Sequence, residues 1–383
     1  MPLFRLNALM LGAWVGFAAG LFIVVGTLSS VVGTLVVPRN IDSRISRVVE
    51  WSLDAALLQL GRLVRSYERR DRILAWQAPM TLLVRLAVWV GLLIVGFSLL
   101  LLPSVGARVG QAFADAGSSM LTLGYAAPIG GGSTALEYLA AFTGLVVIGL
   151  QVGYLPTFYG AFNRRETEVS LLGSRAGVPA WGPEILARTR WGIEDGNMLP
   201  ILEELFTTWE RWAADVAESH TTYLTLTRLR SPRPLSHWLI SLIAVMDAAA
   251  LHLVLAPSRE PKLPARLCLR MGFVALNRVG VTMRLPVPVD ADPDQPISLS
   301  FDEFRVATAM LRELGYPIER TDEEAWPHFR GWRANYDTVA LLLARQLDAP
   351  PALWTGTRRW PSTPIPPQRP PARLAREAQE RRT

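Results

Sequence analysis

Thr122, Leu123, Gly124 and Tyr125 form the stretch of this 383-residue chain best suited to chemistry. A threonine offers a hydroxyl and a main-chain carbonyl, both hard oxygen ligands of the kind an alkali cation takes. Gly124 lacks a Cβ and allows carbonyl orientations that other residues resist. Ser118 and Ser119, just upstream, can hydrogen-bond behind such a stretch. Residues 111–121 predict a short, moderately apolar helix, too short to cross a bilayer. Downstream, Pro128, Gly130, Gly131 and Gly132 break regular structure. A short helix followed by extended backbone survives at membrane depth only where it lines a water-filled path or is buried in protein.

Other chemistries find little footing. Cys268 is the single cysteine, so there is no internal disulfide and no Cys-rich zinc site. His220, His237, His252 and His328 are scattered, and no metal site is expected. The chain shows no HExxH, no phosphate-cradling glycine loop and no nucleotide fingerprint. No catalytic residues and no cofactor are therefore expected, and the chain reads as something other than an enzyme. Asp322, Glu323 and Glu324 read as the solvated start of a helix, and His328 beside Trp326 as packing. The net charge of +6 rests on arginine, with Lys262 the only lysine. That bias reads as composition rather than as nucleic-acid binding.

With 50% hydrophobic and 19% charged residues, the chain is too apolar for an ordinary soluble enzyme. Three uncharged runs explain why: Leu6–Pro38, Leu86–Ala107 and Tyr138–Asn163. Each exceeds the ~20 helical residues that a bilayer core requires. The first is far longer than the apolar core of a signal peptide, and no small-residue cleavage pattern closes it. Gly12, Gly16 and Gly20 fall four apart within it, on one helix face, where small residues admit a second helix; glycine is also simply common in membrane helices.

Arginine sets the sidedness. Eight arginines lie in 39–80, three more follow at 164, 165 and 175, and 104–134 holds only Arg108. Positive residues stay on the cytoplasmic side. This puts the N-terminus and 104–134 outside, and 39–80 and everything after about 163 inside. Within 39–80, Ile45, Val49, Leu53, Ala56, Leu60 and Leu63 mark the apolar face of an amphipathic helix whose other face carries Arg47, Glu50, Asp54 and Arg62. It could lie on the membrane surface or on the cytoplasmic domain.

The order span, short helix, Thr-x-Gly-Tyr, span resembles the pore module of the bacterial potassium-channel-like ion channels, over residues 82–163. That family's signature is Thr-Val-Gly-Tyr-Gly, whose carbonyls replace the hydration shell of the ion. Thr122, Gly124 and Tyr125 match it, and Leu123 stands in place of valine. The resemblance implies a selectivity filter of Thr122, Leu123, Gly124, Tyr125 and Ala126, supported by Ser118 and Ser119. It implies a homotetramer around the pore, with K⁺ as the permeant ion. Leu123 would pack on the short helix and Tyr125 would wedge the loop at fixed width. Two positions depart: Ala126 replaces the last glycine and Ala127 the acidic residue usual after it. If position 126 needs φ > 0, alanine costs about 1–2 kcal/mol there, so K⁺ versus Na⁺ selectivity stays open. Gly144, Gly149, Gly153 and Pro156 are candidate bending points of the inner helix, with Gly149 and Gly153 the hinges and Gly149 foremost, and close packing is the alternative role for each. Thr143 and Gln151 could face water. No arginine-studded voltage sensor is visible.

Residues 164–360 read as a helical cytoplasmic domain, with 235–255 either a buried helix or a fourth span; Asp247 in its middle argues for the former. Residues 361–383, with six prolines and five arginines, read as disordered. The expected fold is an all-α membrane protein: an N-terminal transmembrane helix (1–38), an amphipathic segment (39–80), a pore module with re-entrant loop (81–163) and the helical domain. It would be multi-pass in the bacterial inner membrane, its C-terminus cytoplasmic. The partners expected are the lipid bilayer, a monovalent cation and further copies of the chain, with no nucleic acid. A non-conducting membrane scaffold or sensor, working through its helical domain, is the alternative function.

Overall fold

The computed structural model describes residues 2–37, 43–125, 131–189, 199–288, 292, 294–358, 360 and 362–368. Among them the chain is all-helical, with no β-strand. It divides into two units: residues 1–60 with 76–160, and residues 61–75 with 161–383.

The first unit holds α1 (Pro2–Leu35), α2 (Arg44–Arg62) up to residue 60, α4 (Gln77–Leu101), α5 (Val109–Met120) and the first part of α6 (Gly131–Ala176). α1 and α4 pack antiparallel, and glycine decides how closely. A Cβ on Gly20 would lie 2.6 Å from the Gly96 carbonyl, and one on Gly96 would lie 2.7 Å from Val24. Further along, Trp89 donates from its indole nitrogen to Ser30 Oγ at 2.9 Å. Of the three predicted small-residue positions, Gly20 meets backbone, Gly16 meets only the Leu102 and Leu99 side chains, and Gly12 meets nothing.

α4 starts nine residues before the predicted apolar run, because Arg85 does not end it. Its side chain is buried, with Glu50 at 3.9 Å and the Trp89 ring beneath it at 5.3 Å. Nearby, Gln77 donates to Asp54 at 2.7 Å. These contacts overturn part of the predicted faces of α2. Ile45, Val49 and Leu53 stay turned inward, but Glu50 and Asp54 join them there, while Ala56 and Leu60 are exposed. The cation and the amide on α4 give the carboxylates a reason to face inward that periodicity cannot register.

The second unit is built around α9 (Trp238–Leu255), enclosed by α7 (Gly182–Arg188), α8 (Leu199–Thr222), α10 (Lys262–Thr282), α12 (Asp322–Ala334) and α13 (Asp337–Gln346), with α11 (Phe301–Glu313) beside α7 and α12. α9 has an apolar surface all round, as a helix buried on every side requires. Its one acid, Asp247, is held by Arg333 Nη1 at 2.5 Å and the Tyr336 hydroxyl at 2.6 Å. Arg333 also donates to Asp337 at 2.8 Å and to the Trp354 carbonyl at 2.7 Å. Among the described residues, four helices are long and apolar enough to cross a membrane. In α1, α4 and α6 only 28%, 39% and 33% of the most apolar stretch is buried, against 94% in α9.

Residues 61–75, with α3 (Tyr67–Leu74), belong to this second unit rather than to one segment with α2. Buried ion pairs hold them there: Arg70 with Asp348 and Asp71 with Arg230, each at 2.7 Å. Residues 362–368 are not the free tail expected from their prolines. Gln368, which unlike Pro366 and Pro367 keeps an N–H, exchanges backbone hydrogen bonds of 2.9 and 3.1 Å with Val178, and the Ile365 amide donates to the Pro351 carbonyl at 2.6 Å. Residues 369–383 lie outside the described residues.

Three buried histidines make this unit sensitive to acid: burial holds His252 down to about 4, and His220 and His237 are lowered more strongly. His220 Nε2 faces the Arg165 guanidinium at 3.1 Å and Nδ1 faces Ser219 Oγ at 3.0 Å, so the ring is neutral with its proton on Nδ1. Burial first, then Arg165, holds its pKa well below the usual value. His237 Nδ1 accepts from the Leu239 amide at 3.2 Å, and burial, with Arg230, Arg165 and Arg358 nearby, lowers it likewise.

Alanine at Gly20 is expected to lower the thermal midpoint of the purified protein, Gly16→Ala to do so less, and Gly12→Ala to leave it unchanged; equal effects at all three would contradict the packing. The unfolded chain binds protons at His220 and His237 near pH 6.5 that the fold refuses. Stability is therefore complete above pH ~6.5 and falls on acidification, by up to ~1.4 kcal/mol per pH unit for each histidine. Thermal unfolding between pH 7 and 5 should show that slope, shallower in His220→Gln.

Candidate functional site

α5 carries a stripe of Ala112, Ala116 and Met120 at four-residue steps, all buried in the same apolar cluster as Trp89, Leu93 and Phe97 of α4. Two of the three are alanines, which lets the short helix lie close. Its C-terminal end is met by α6 at Gly144, where an added Cβ would come within 2.1 Å of the Met120 carbonyl. No side chain fits there, so Gly144 serves close packing rather than bending.

The chain then folds back on the helix it has left. The Thr122 amide donates to the Ser119 carbonyl at 3.1 Å and the Leu123 amide to the Ser118 carbonyl at 2.8 Å. Paired bonds of this kind, around a residue at positive φ, are the Schellman cap. The residue at positive φ is Thr122, at +54°. This position is ordinarily glycine, and a β-branched residue there is a true outlier. Gly124 also has positive φ, at +71°. The Tyr125 amide donates to Ser118 Oγ at 3.1 Å, and the Tyr125 hydroxyl reaches the Ala114 carbonyl at 3.3 Å.

The amides of 122, 123 and 125 are thus all directed at α5. Among the described residues, no hydrogen bond reaches the carbonyls of 122–125. The Thr122 hydroxyl donates to the Leu121 carbonyl at 2.8 Å, leaving its lone pairs open. Residues 121–125 are all exposed in the single chain. Chemically the turn presents oxygen, not nitrogen, to whatever it faces, at the negative end of a helix dipole.

Several expectations need adjustment. Thr122 belongs to the helix cap, and Gly124 too is at positive φ, so the stretch after α5 is not the simple extended backbone expected. Leu123 is 60% exposed instead of packed on α5. Ser118 acts through its hydroxyl, whereas Ser119 contributes only its carbonyl. Strain sits at Thr122, and Ala126 and Ala127, where the sequence would put it, lie outside the described residues. Thr143 and Gln151 are buried instead of facing open water, and Gln151 Oε1 has no partner. α6 passes unbroken through Gly149, Gly153 and Pro156. A Cβ at Gly149 or Gly153 would meet nothing within 4 Å, so close packing inside one chain does not account for them. Sequence reasoning missed Asp115 and Glu137, buried carboxyls on α5 and α6; an isolated acid in an apolar stretch is the signal that could have found them. Among the described residues no cluster of His, Cys, Asp or Glu could hold a metal ion. No protein-family model matches this chain, and neither does any curated protein or solved structure.

Thr122→Gly is expected to raise stability by about 1 kcal/mol, by relieving the positive φ. Gly144→Ala should lower it by about 1–3 kcal/mol through overpacking against Met120. Thermal unfolding in detergent checks both, and a destabilised Thr122→Gly would contradict the cap.

Proposed function

We propose that the chain is the pore-forming subunit of a homotetrameric channel for monovalent cations, with potassium the expected permeant ion and no voltage sensor. One observation carries the reading: the amides of 122, 123 and 125 are committed to α5 while the neighbouring carbonyls stay open along an exposed edge. A dehydrated cation needs such oxygens from several directions, and one chain supplies one row, so symmetry mates complete the ring. The exposed flanks agree with this. Leu123, Tyr125, Tyr138 and Phe142 are each at least 60% exposed in the single chain, a surface for lipid or for neighbouring copies.

α1, α4 and the first part of α6 are the three crossings in this reading, and the turn after α5 is re-entrant from the outer side. α9 is not a crossing, since its surroundings already bury it. The second unit faces the cytoplasm and is the natural seat of gating, because it contains both residues 61–75, immediately before α4, and the end of α6.

Flux from liposomes loaded with K⁺ or Na⁺ tests the proposal. The wild-type protein should conduct. Gly124→Ala and Tyr125→Ala should each reduce flux at least tenfold, and Thr122→Gly should do so despite its gain in stability. A well-folded wild-type protein that passes neither ion would overturn the reading and leave the membrane scaffold in its place.

A further inference from the structure

α10 carries Lys262, Arg266, Arg270 and Arg278 and not one acid. Every other described α-helix of the second unit has at least one. Its inner side is small and apolar. Ala265, Cys268, Gly272 and Ala275 are buried, and a Cβ on Gly272 would come within 2.6 Å of Met246 Sδ on α9. With 3.6 residues per turn, those four residues occupy one side of the helix and leave the other free of the unit.

Two kinds of side chain share that outer side. Leu263, Leu267 and Val281 run along one edge of it, 64%, 39% and 64% exposed. Lys262, Arg266 and Arg270 recur at four-residue steps along the adjoining edge, with both arginines exposed. Arg278 already meets Glu218 on α8 at 2.7 Å. Among the described residues, no carboxylate pairs with Arg266 or Arg270.

Cations beside exposed apolar side chains, on one helix, suit an anionic surface that has an apolar layer beneath it. The headgroup region of a bilayer is such a surface. A second copy of the same face does not suit it, because the arginines of the two copies would confront each other with no acid to separate them. In a chain with helices apolar enough to cross a membrane, the bilayer is always at hand.

We propose that the outer face of α10 docks on anionic phospholipid. Leu263, Leu267 and Val281 enter the boundary of the acyl chains, and Arg266 and Arg270 bind headgroup phosphates through their paired N–H groups. The inference rests on the membrane crossings of the reading above and is independent of conduction. Because α10 packs on both α8 and α9, lipid composition then acts on the core of the second unit.

Fluorescence quenching by lipid reads the contact without any flux. Leu267→Cys in a Cys268→Ala background holds a single thiol, to which bimane is attached, and the full-length protein is placed in nanodiscs. Phosphatidylglycerol brominated on its acyl chains should quench the label roughly twofold, brominated phosphatidylcholine much less, and high salt should shrink the difference. The same label at Val306→Cys, on a 68% exposed position of α11, should be quenched by neither lipid. Arg266→Gln combined with Arg270→Gln should abolish quenching at position 267 and leave circular dichroism unchanged, since both side chains are exposed. A label at 267 that neither lipid quenches would overturn the proposal, as would equal quenching by both lipids. So would a label shielded in detergent in proportion to protein concentration, which would put a second copy on this face. Quenching without K⁺ flux keeps the docking and sinks the channel, and flux without quenching does the reverse.

Discussion

Every feature of the candidate site depends on where three amide hydrogens go. The N–H groups of Thr122, Leu123 and Tyr125 end on carbonyls and a hydroxyl of α5, two of them on Ser118. A peptide unit that turns its N–H one way presents its C=O the other way. Fixing the donors on the helix therefore fixes the side on which the acceptors stand. Thr122 is held at positive φ to make the cap, in a region that costs an L-residue of its type about 1–2 kcal/mol. Strain of this kind persists only where its surroundings over-determine it. Here the surroundings are the stripe of Ala112, Ala116 and Met120 against α4, and Gly144 against the end of α5.

The same economy of space governs the rest of the first unit. Gly20 and Gly96 let two helices meet backbone to backbone, a contact that no larger residue permits. Part of the charge the helices carry is turned inward and covered, Arg85 by Glu50 and Trp89 and Asp54 by Gln77, while Arg44 and Arg47 stay exposed. Apolar side chains are left on the outside, the inverse of a water-soluble protein. In the second unit the usual order returns, with α9 fully enclosed and its acid neutralised by Arg333. Removing one partner of such a buried pair strands the other charge, which typically costs 3–5 kcal/mol. These pairs therefore specify which helices meet, more than they add net stability.

Docking of residues 61–75 gives the chain an unusual wiring. The segment leaves α2, joins the second unit through Arg70 and Asp71, and only then enters α4. The second unit thus contains the residues leading into one helix of the candidate pore module and the residues leading out of the other. A rearrangement within that unit has two covalent routes to the turn at 121–125.

The sequence alone determined what depends on local pattern. The uncharged runs, the short helix before Thr122, the small-residue face at Gly16 and Gly20 and the burial of Asp247 within a helix all follow from composition and spacing, because backbone satisfaction and apolar periodicity are properties of neighbours in the chain. Only the tertiary structure decided what depends on partners far away. It turned Glu50 and Asp54 inward because Arg85 and Gln77 were there to receive them. It divided 39–80 between two units because Asp348 and Arg230, 278 and 159 residues downstream, hold Arg70 and Asp71. A carboxyl's worth is set by the charge it finally faces, and no window of sequence contains that charge.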